Sequence, residues 1–159
     1  MKCFQPKMYF KTIEDIAVKT LQKRNVKGLI LDIDNTLVPP HTPEADERAK
    51  RFVCRMQEAF KICIVSNNIY ERAEKFANSF PVDFICDGNK PAKKPFILAL
   101  EKLQLEPSEI AVIGDQIFTD VWGANRMGMI SVLVNPVCDK EGKFVKLKRI
   151  LEKLVFKRK

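Results

Sequence analysis

The chain has 159 residues, 46% apolar and 30% charged, a composition that excludes a disordered or fibrous polypeptide and fits one ordinary domain. No apolar stretch approaches the ~20 residues a bilayer-spanning helix needs. The net charge of +8 is concentrated at one end: residues 141–159 carry +6, leaving +2 for the other 140.

The opening segment MKCFQPKMYFKTIED lacks the apolar core of a secretory signal, so a cytoplasmic protein is expected. Thr12-x-x-Asp15 predicts the cap of an N-terminal helix with Ile13, Ile16, Ala17 and Leu21 on one side. Strand-like runs follow at 28–34 (GLILDID), 61–66 (KICIVS), 82–86 (VDFIC), 110–114 (IAVIG) and 130–134 (ISVLV). Each is aliphatic without alternation, as expected for strands covered on both faces. Thr42-Pro43-Glu44 reads as an N-cap, a first-turn proline and a first-turn acid. It opens a helix whose Phe52, Met56 and Phe60 belong in the core. Further helices are predicted over 68–79, 96–103 and 117–127, the last stopped by Gly128. Alternating strands and helices specify an α/β fold, a Rossmann-like three-layer α/β/α sandwich on a parallel sheet, with 1–159 as a single domain. Five cysteines, odd in number and without C-x-x-C, read as reduced thiols. His41 is the only histidine, which excludes a multi-histidine metal site. It reads as a loop residue rather than a substrate contact.

In open parallel sheets, ligands bind beyond the carboxyl ends of the strands. Those ends read Asp32-x-Asp34, Ser66-Asn67-Asn68, Cys86-Asp87 and Gly114-Asp115. Asp32 lies within an apolar run with a second aspartate two residues on, which a helix-capping role does not explain. A cluster of Asp32, Asp34 and Asp115, all oxygen donors, suits a hard cation, Mg²⁺ by default. A cation there invites phosphate. Asp32, with an ordinary pKa of about 3.9, is ionised at neutral pH and able to attack phosphorus. Asp34 is placed to protonate a leaving oxygen. Ser66 and a lysine of NKPAKKPF are candidates to hold the phosphate oxygens.

The pattern resembles the haloacid dehalogenase (HAD) superfamily of phosphohydrolases. Its four motifs occur in order: Asp32-Ile33-Asp34-Asn35-Thr36, Ser66 at a strand end, Lys94-Pro95, and Gly114-Asp115-Gln116-Ile117-Phe118-Thr119-Asp120. FQPKMYFKTIEDI, LILDIDNTLVPP, AKKPF and GDQIFTDVWGANRMGMISVLVNPV look like the YqeG-like branch of subclass IIIA, over nearly the whole chain. The resemblance implies a phosphatase in which Asp32 is the nucleophile and Asp34 the general acid/base. Asp32 and Asp115 would give carboxylates, and Asp34 its backbone carbonyl, to Mg²⁺. Ser66 and Lys94 would hold phosphate, Lys94 being chosen on the AKKPF match, with Lys90 and Lys93 as solvated loop charges. Asp120 would support the metal shell or the lysine. Asn35 and Thr36 would shape the turn, Gly114 would support the fourth motif, and Asn67 would line the site.

Only 29 residues separate Thr36 from Ser66, and 27 separate Ser66 from Lys94. Neither interval holds a cap domain of about 50 residues or more beside the expected helix and strand. An open site suits a phosphomonoester displayed on something large: a lipid headgroup, a phosphoprotein, a nucleotide or a nucleic-acid end, nucleic acid being the weaker candidate. Related branches act on phosphatidylglycerophosphate, which the resemblance extends to a lipid substrate. In the tail, 143–159, Phe144, Leu147, Ile150, Leu151, Leu154 and Val155 form a stripe opposite Lys146, Arg149, Lys153 and Lys157. The plainer expectation is a helix packed on the sheet by that stripe. The alternative is peripheral contact with an anionic membrane. Trp122 reads as either packing or interfacial. A non-enzymatic reading, a basic RNA- or ribosome-binding module with a vestigial site, conflicts with the intact motif set.

Overall fold

The computed structural model describes residues 2–68, 70–138 and 142–156. Its strands are β1 Met8–Phe10, β2 Gly28–Leu31, β3 Lys61–Val65, β4 Asp83–Ile85, β5 Ile110–Gly114 and β6 Ile130–Val134. The helices are α1 Val18–Gln22, α2 Glu47–Gln57, α3 Tyr70–Ala77, α4 Lys93–Leu103, α5 Trp122–Arg126 and α6 Lys143–Val155. The strands pair in parallel in the order β1-β6-β5-β2-β3-β4.

Every residue of β2 is buried, because the strand is paired on both edges and covered on both faces. Leu29 and Leu31 join Leu21, Phe52, Met56 and Phe76 beneath α1, α2 and α3. Ile30 points the other way, to Phe96, Ala99 and Ala124 of α4 and α5. This double coverage is why the strand lacks polar alternation.

Leu31 pairs with Ile64 on one side and Ile113 on the other. The chain builds outward from β2 through β3 and β4, then returns to the opposite flank of β2 as β5. The carboxyl ends of β2 and β5 therefore flank the point where connections diverge, the crevice of such sheets. Among the described residues, α2 alone lies between β2 and β3, and α3 and β4 between β3 and α4, so neither interval holds a cap domain.

Several boundaries differ from expectation. The first strand stops at Leu31, because the backbone turns from Ile33, whose carbonyl accepts the N–H of Thr36, Leu37 and Val38. The second helix begins at Glu47, not at Thr42-Pro43-Glu44, because Asp46 supplies the cap, its carboxylate accepting the Ala49 N–H at 2.8 Å. Residues 12–21 form a 3₁₀ turn, Ile13–Asp15, and then the short α1 rather than one helix. Their Ile13, Ile16 and Leu21 are buried as expected, while Ala17 is exposed. Edge strand β1 has no counterpart in the sequence reading; its three residues are too few to show a period. The helix expected over 117–127 is a π-helical turn, Ile117–Val121, running into α5, and Gly128 ends it at φ 75°. Phe52, Met56 and Phe60 are core residues as expected, and Trp122 packs on Phe4 and Arg126.

All five cysteines are free thiols. Burial pushes the Cys63 thiol up to about 12. Native-state alkylation at pH 8 should therefore label exposed Cys3 and Cys54 well before Cys63, as peptide mass mapping would show; early labelling of Cys63 would contradict its burial.

Candidate active site

The ends of β2 and β5 bring three carboxylates together. Ligand oxygens of Asp32, Asp115 and Asp120 lie within 4.8 Å of one another, and all three residues are buried. Asp32 directly follows β2, its N–H donating to the Ile113 carbonyl at 3.0 Å. Asp115 directly follows β5, and Asp120 comes from the π-helical turn beyond it. Gly114 has a specific reason to be glycine: a Cβ there would collide with the Asp120 carboxylate.

Buried carboxylates need partners. The Lys90 ammonium supplies one, donating to Asp32 Oδ1 at 2.6 Å and to Asp120 Oδ1 at 2.7 Å. The other Asp120 oxygen accepts the Gln116 N–H and the Thr119 hydroxyl. Asp120 is therefore turned to the lysine. The Thr36 hydroxyl lies 3.0 Å from Asp32 Oδ2 and 3.2 Å from Asp115 Oδ1, so it bridges the acids as well as shaping the turn. Asp115 Oδ2 is held by Arg149 of α6, whose other nitrogen donates to the Asp115 carbonyl at 2.6 Å. Arg149 also pairs with Glu152 at 3.1 Å, and Glu152 accepts the Ile117 N–H at 2.7 Å.

Desolvation by burial outweighs Lys90 at Asp32 and, with the charges of Asp120 and Asp115, pushes its carboxyl up to about 8. Burial alone would lower the Lys90 ammonium, but Asp120 and Asp32 hold it above the ordinary lysine range. Lys90 is a fixed cation.

Asp34 points elsewhere. Its carboxylate accepts the Asn68 side-chain amide and, at 3.3 Å, the His41 N–H. The same Asn68 amide donates to Ser66 Oγ at 2.9 Å, which also accepts the Asn68 N–H at 3.1 Å. Asp34 opens on a cleft of about 180 Å³ shared with Asn35, Pro40, His41, Gln116 and Val145. Asn35 holds the turn at φ 58°, its N–H donating to Val38 and its side chain accepting the Cys138 N–H at 3.0 Å.

The lysine expectation is corrected. Lys93 and Lys94 are exposed at the start of α4, where Pro95, Phe96, Ala99 and Leu103 are buried and Lys94 shares the outer side with Ile97 and Leu98. Lys90, in the loop before α4, reaches the acids. Asn67, exposed rather than lining the site, braces that loop: it accepts the Lys90 N–H at 2.7 Å and donates to the Lys90 carbonyl at 3.3 Å. The helical period from Pro95 onward was the available signal against Lys94. Asn68, Arg149 and Glu152 were also missed; nothing local in the sequence ties Arg149 to Asp115, 34 residues earlier.

The acid-bearing ends of β2 and β5, a strand-end serine on β3, one buried lysine and an open crevice form the arrangement that the sequence motifs lead one to expect of a phosphatase. Comparison with known proteins agrees: residues 1–138 match the family described as mitochondrial PGP phosphatase, and the chain belongs to that family. The probable phosphatase YqeG of Bacillus subtilis is 38% identical over 97% of this chain and 90% of its own. The chloroplastic/mitochondrial phosphatidylglycerophosphate phosphatase 1 of Arabidopsis thaliana is 28% identical over 96% of this chain and 47% of its own. The fold is shared with a HAD phosphatase from Thermococcus onnurineus, at TM-score 0.54 and 18% identity over 79% of this chain and 98% of that one.

Lys90→Met should lower aryl phosphate hydrolysis by about 10²–10³-fold, and Lys94→Ala should leave it near the parent rate. Lys90→Met also leaves Asp32 and Asp120 without their ammonium, so a denaturant melt should show a loss of about 3–5 kcal/mol. Equal rates in the two variants would show that the site lysine is misassigned. Gly114→Ala, by displacing Asp120, should cost about 1–3 kcal/mol and lower the rate in the same direction.

Proposed function

We propose that the protein hydrolyses phosphomonoesters through a phosphoaspartate on Asp32. The observation that carries this reading is the placement of Asp32: Lys90 holds one oxygen, Thr36 meets the other, and Asp34 faces the adjoining cleft. The Asp32 carboxylate attacks phosphorus and the ester P–O bond breaks. Asp34 gives its proton to the leaving oxygen. Asp34 then takes a proton from water, whose oxygen attacks the acyl phosphate, releasing inorganic phosphate and restoring Asp32. Ser66 Oγ, already accepting from Asn68, has its hydroxyl hydrogen left to donate to a phosphate oxygen. Lys90 offsets charge on Asp32 and on the phosphoryl group.

The donor set fits a hard divalent cation of the Mg²⁺ kind, being all oxygen and clustered at Asp32 and Asp115. Those two carboxylates and the Asp34 carbonyl would hold it. Asp120, the third acid of the cluster, orients the lysine through one oxygen and is held by Gln116 and Thr119 through the other. When bound, the cation supplies positive charge where the phosphoryl group develops negative charge.

The uncapped crevice favours a phosphate presented on a large body. The family and the named plant relative support a lipid phosphomonoester such as phosphatidylglycerophosphate, met by an enzyme peripheral to the membrane. No helix among the described residues is long and apolar enough to cross a membrane. The intact Asp32–Lys90–Asp120 arrangement weighs against a vestigial site on an RNA-binding module.

Asp32→Asn should reduce hydrolysis of every phosphomonoester to background while the thermal melt remains cooperative; activity in that variant would remove the covalent step. Asp34→Asn should lose more on alkyl than on phenolic phosphates, because a poor leaving group needs its proton more. EDTA should abolish turnover and Mg²⁺ restore it, with Asp115→Ala raising the Mg²⁺ concentration required. A panel of phosphatidylglycerophosphate, nucleotide, sugar phosphate and phosphopeptide separates the substrate classes, preference for the lipid being expected.

A further inference from the structure

The C-terminal helix is oriented opposite to the usual rule. Its inner side carries charge: Arg149 and Glu152 are tied to Asp115 and to the Ile117 N–H. Its outer side is apolar. Leu147, Ile150, Leu151 and Leu154 are 56%, 58%, 46% and 80% exposed, four of the seven exposed large apolar side chains among the described residues. The expectation that this stripe packs on the sheet is thus corrected. The expected basic side is also redrawn, since Arg149 belongs to the inner contacts. The side chains of Phe144 and Lys157 lie outside the described residues.

We propose that the outer side of α6 is a docking surface for an anionic lipid layer. Lys146 and Lys153, two turns apart, line one edge of the apolar row and are exposed, whereas the helix's acid, Glu152, is turned inward and paired with Arg149. A row of leucine and isoleucine edged by lysine complements apolar chains beneath anionic headgroups. A second copy of this chain is a poorer occupant, because a two-fold pairing would set lysine edge against lysine edge. At 13 residues the helix lies along a surface of about 20 Å rather than spanning it.

The position matters to the chemistry. Val145, one turn before Arg149, lines the cleft that bears Asp34. Arg149 fixes the same helix to Asp115. In a layer-bound protein α6 would therefore lie between the lipid surface and the wall of the crevice. The docking surface stands on its own; its use in presenting a lipid phosphate rests on the function proposed above.

The test is cosedimentation of the full chain with vesicles of phosphatidylglycerol and phosphatidylcholine, and with vesicles of phosphatidylcholine alone. The parent should bind the anionic vesicles and release them as salt is raised. The variant L147S/I150S/L151S/L154S should bind at least about tenfold more weakly, with the parent's melting temperature and aryl phosphate rate. Lys146→Gln with Lys153→Gln should weaken binding and flatten its salt dependence. A parent that ignores both vesicles overturns the proposal. So does a serine variant that melts early, which would make the row core, or one that turns a parent dimer into a monomer without change in vesicle binding. Vesicle binding by a parent inactive on aryl phosphates would leave the surface standing and remove the phosphatase reading.

Discussion

The rest of the site depends on burying three carboxyl groups side by side. Ligand oxygens of Asp32, Asp115 and Asp120 sit within 4.8 Å of one another, a spacing at which fully ionised groups would repel by about 4 kcal/mol per pair even at an effective dielectric of 20, on top of the cost of taking each out of water. Two cations oppose this. Lys90 takes an oxygen from Asp32 and one from Asp120, and Arg149 takes Asp115. They do not fully offset the cost at Asp32, where burial prevails and holds the carboxyl up at about 8. A divalent cation beside Asp32 and Asp115 would reverse that balance and favour the ionised Asp32 carboxylate. The unusual local features serve the same end. Gly114 admits Asp120, the π-helical turn aims it, and Asn67 fixes the loop that delivers Lys90.

How much of this could be read in advance depended on range. Strands β2 and β5 are unbroken apolar runs, β3 and β6 are interrupted only at Lys61 and Ser131, and burial on both faces writes itself directly into such runs. Strand ends then place Asp32, Ser66 and Asp115 together without knowledge of any side-chain contact. The failures lie where a tertiary contact decides. Lys90, Lys93 and Lys94 are chemically alike, and only the onset of α4 turns the last two outward. Thr42-Pro43-Glu44 satisfies the local rules for a helix start, but Asp46 makes the hydrogen bond that matters. Strand β1 exists because the edge of β6 accepts it, through Met8–Val132 and Phe10–Val134, not because of its own pattern.

The same acids also explain the orientation of α6. Amphipathic periodicity shows which residues share a side of a helix, not which side meets the protein. Here the crevice is acidic, so the cationic side is drawn in: Arg149 neutralises Asp115, and Glu152 completes the network by accepting the Ile117 N–H. Removing one member of such a buried network costs about 3–5 kcal/mol, because its partner is left buried and unpaired. Leaving Leu147, Ile150, Leu151 and Leu154 in water forgoes up to about 1.5–3 kcal/mol for each side chain that could have been fully buried. Over the four side chains the upper bound is about 6–12 kcal/mol, at least as large as the network cost, so the row stays under a strong drive to be covered. Any surface that covers the row adds its burial to the same orientation and tightens Arg149 on Asp115. Contact on the outside of α6 and order at the end of β5 are thereby linked through one helix, with the charged side setting where it sits and the apolar side setting how firmly.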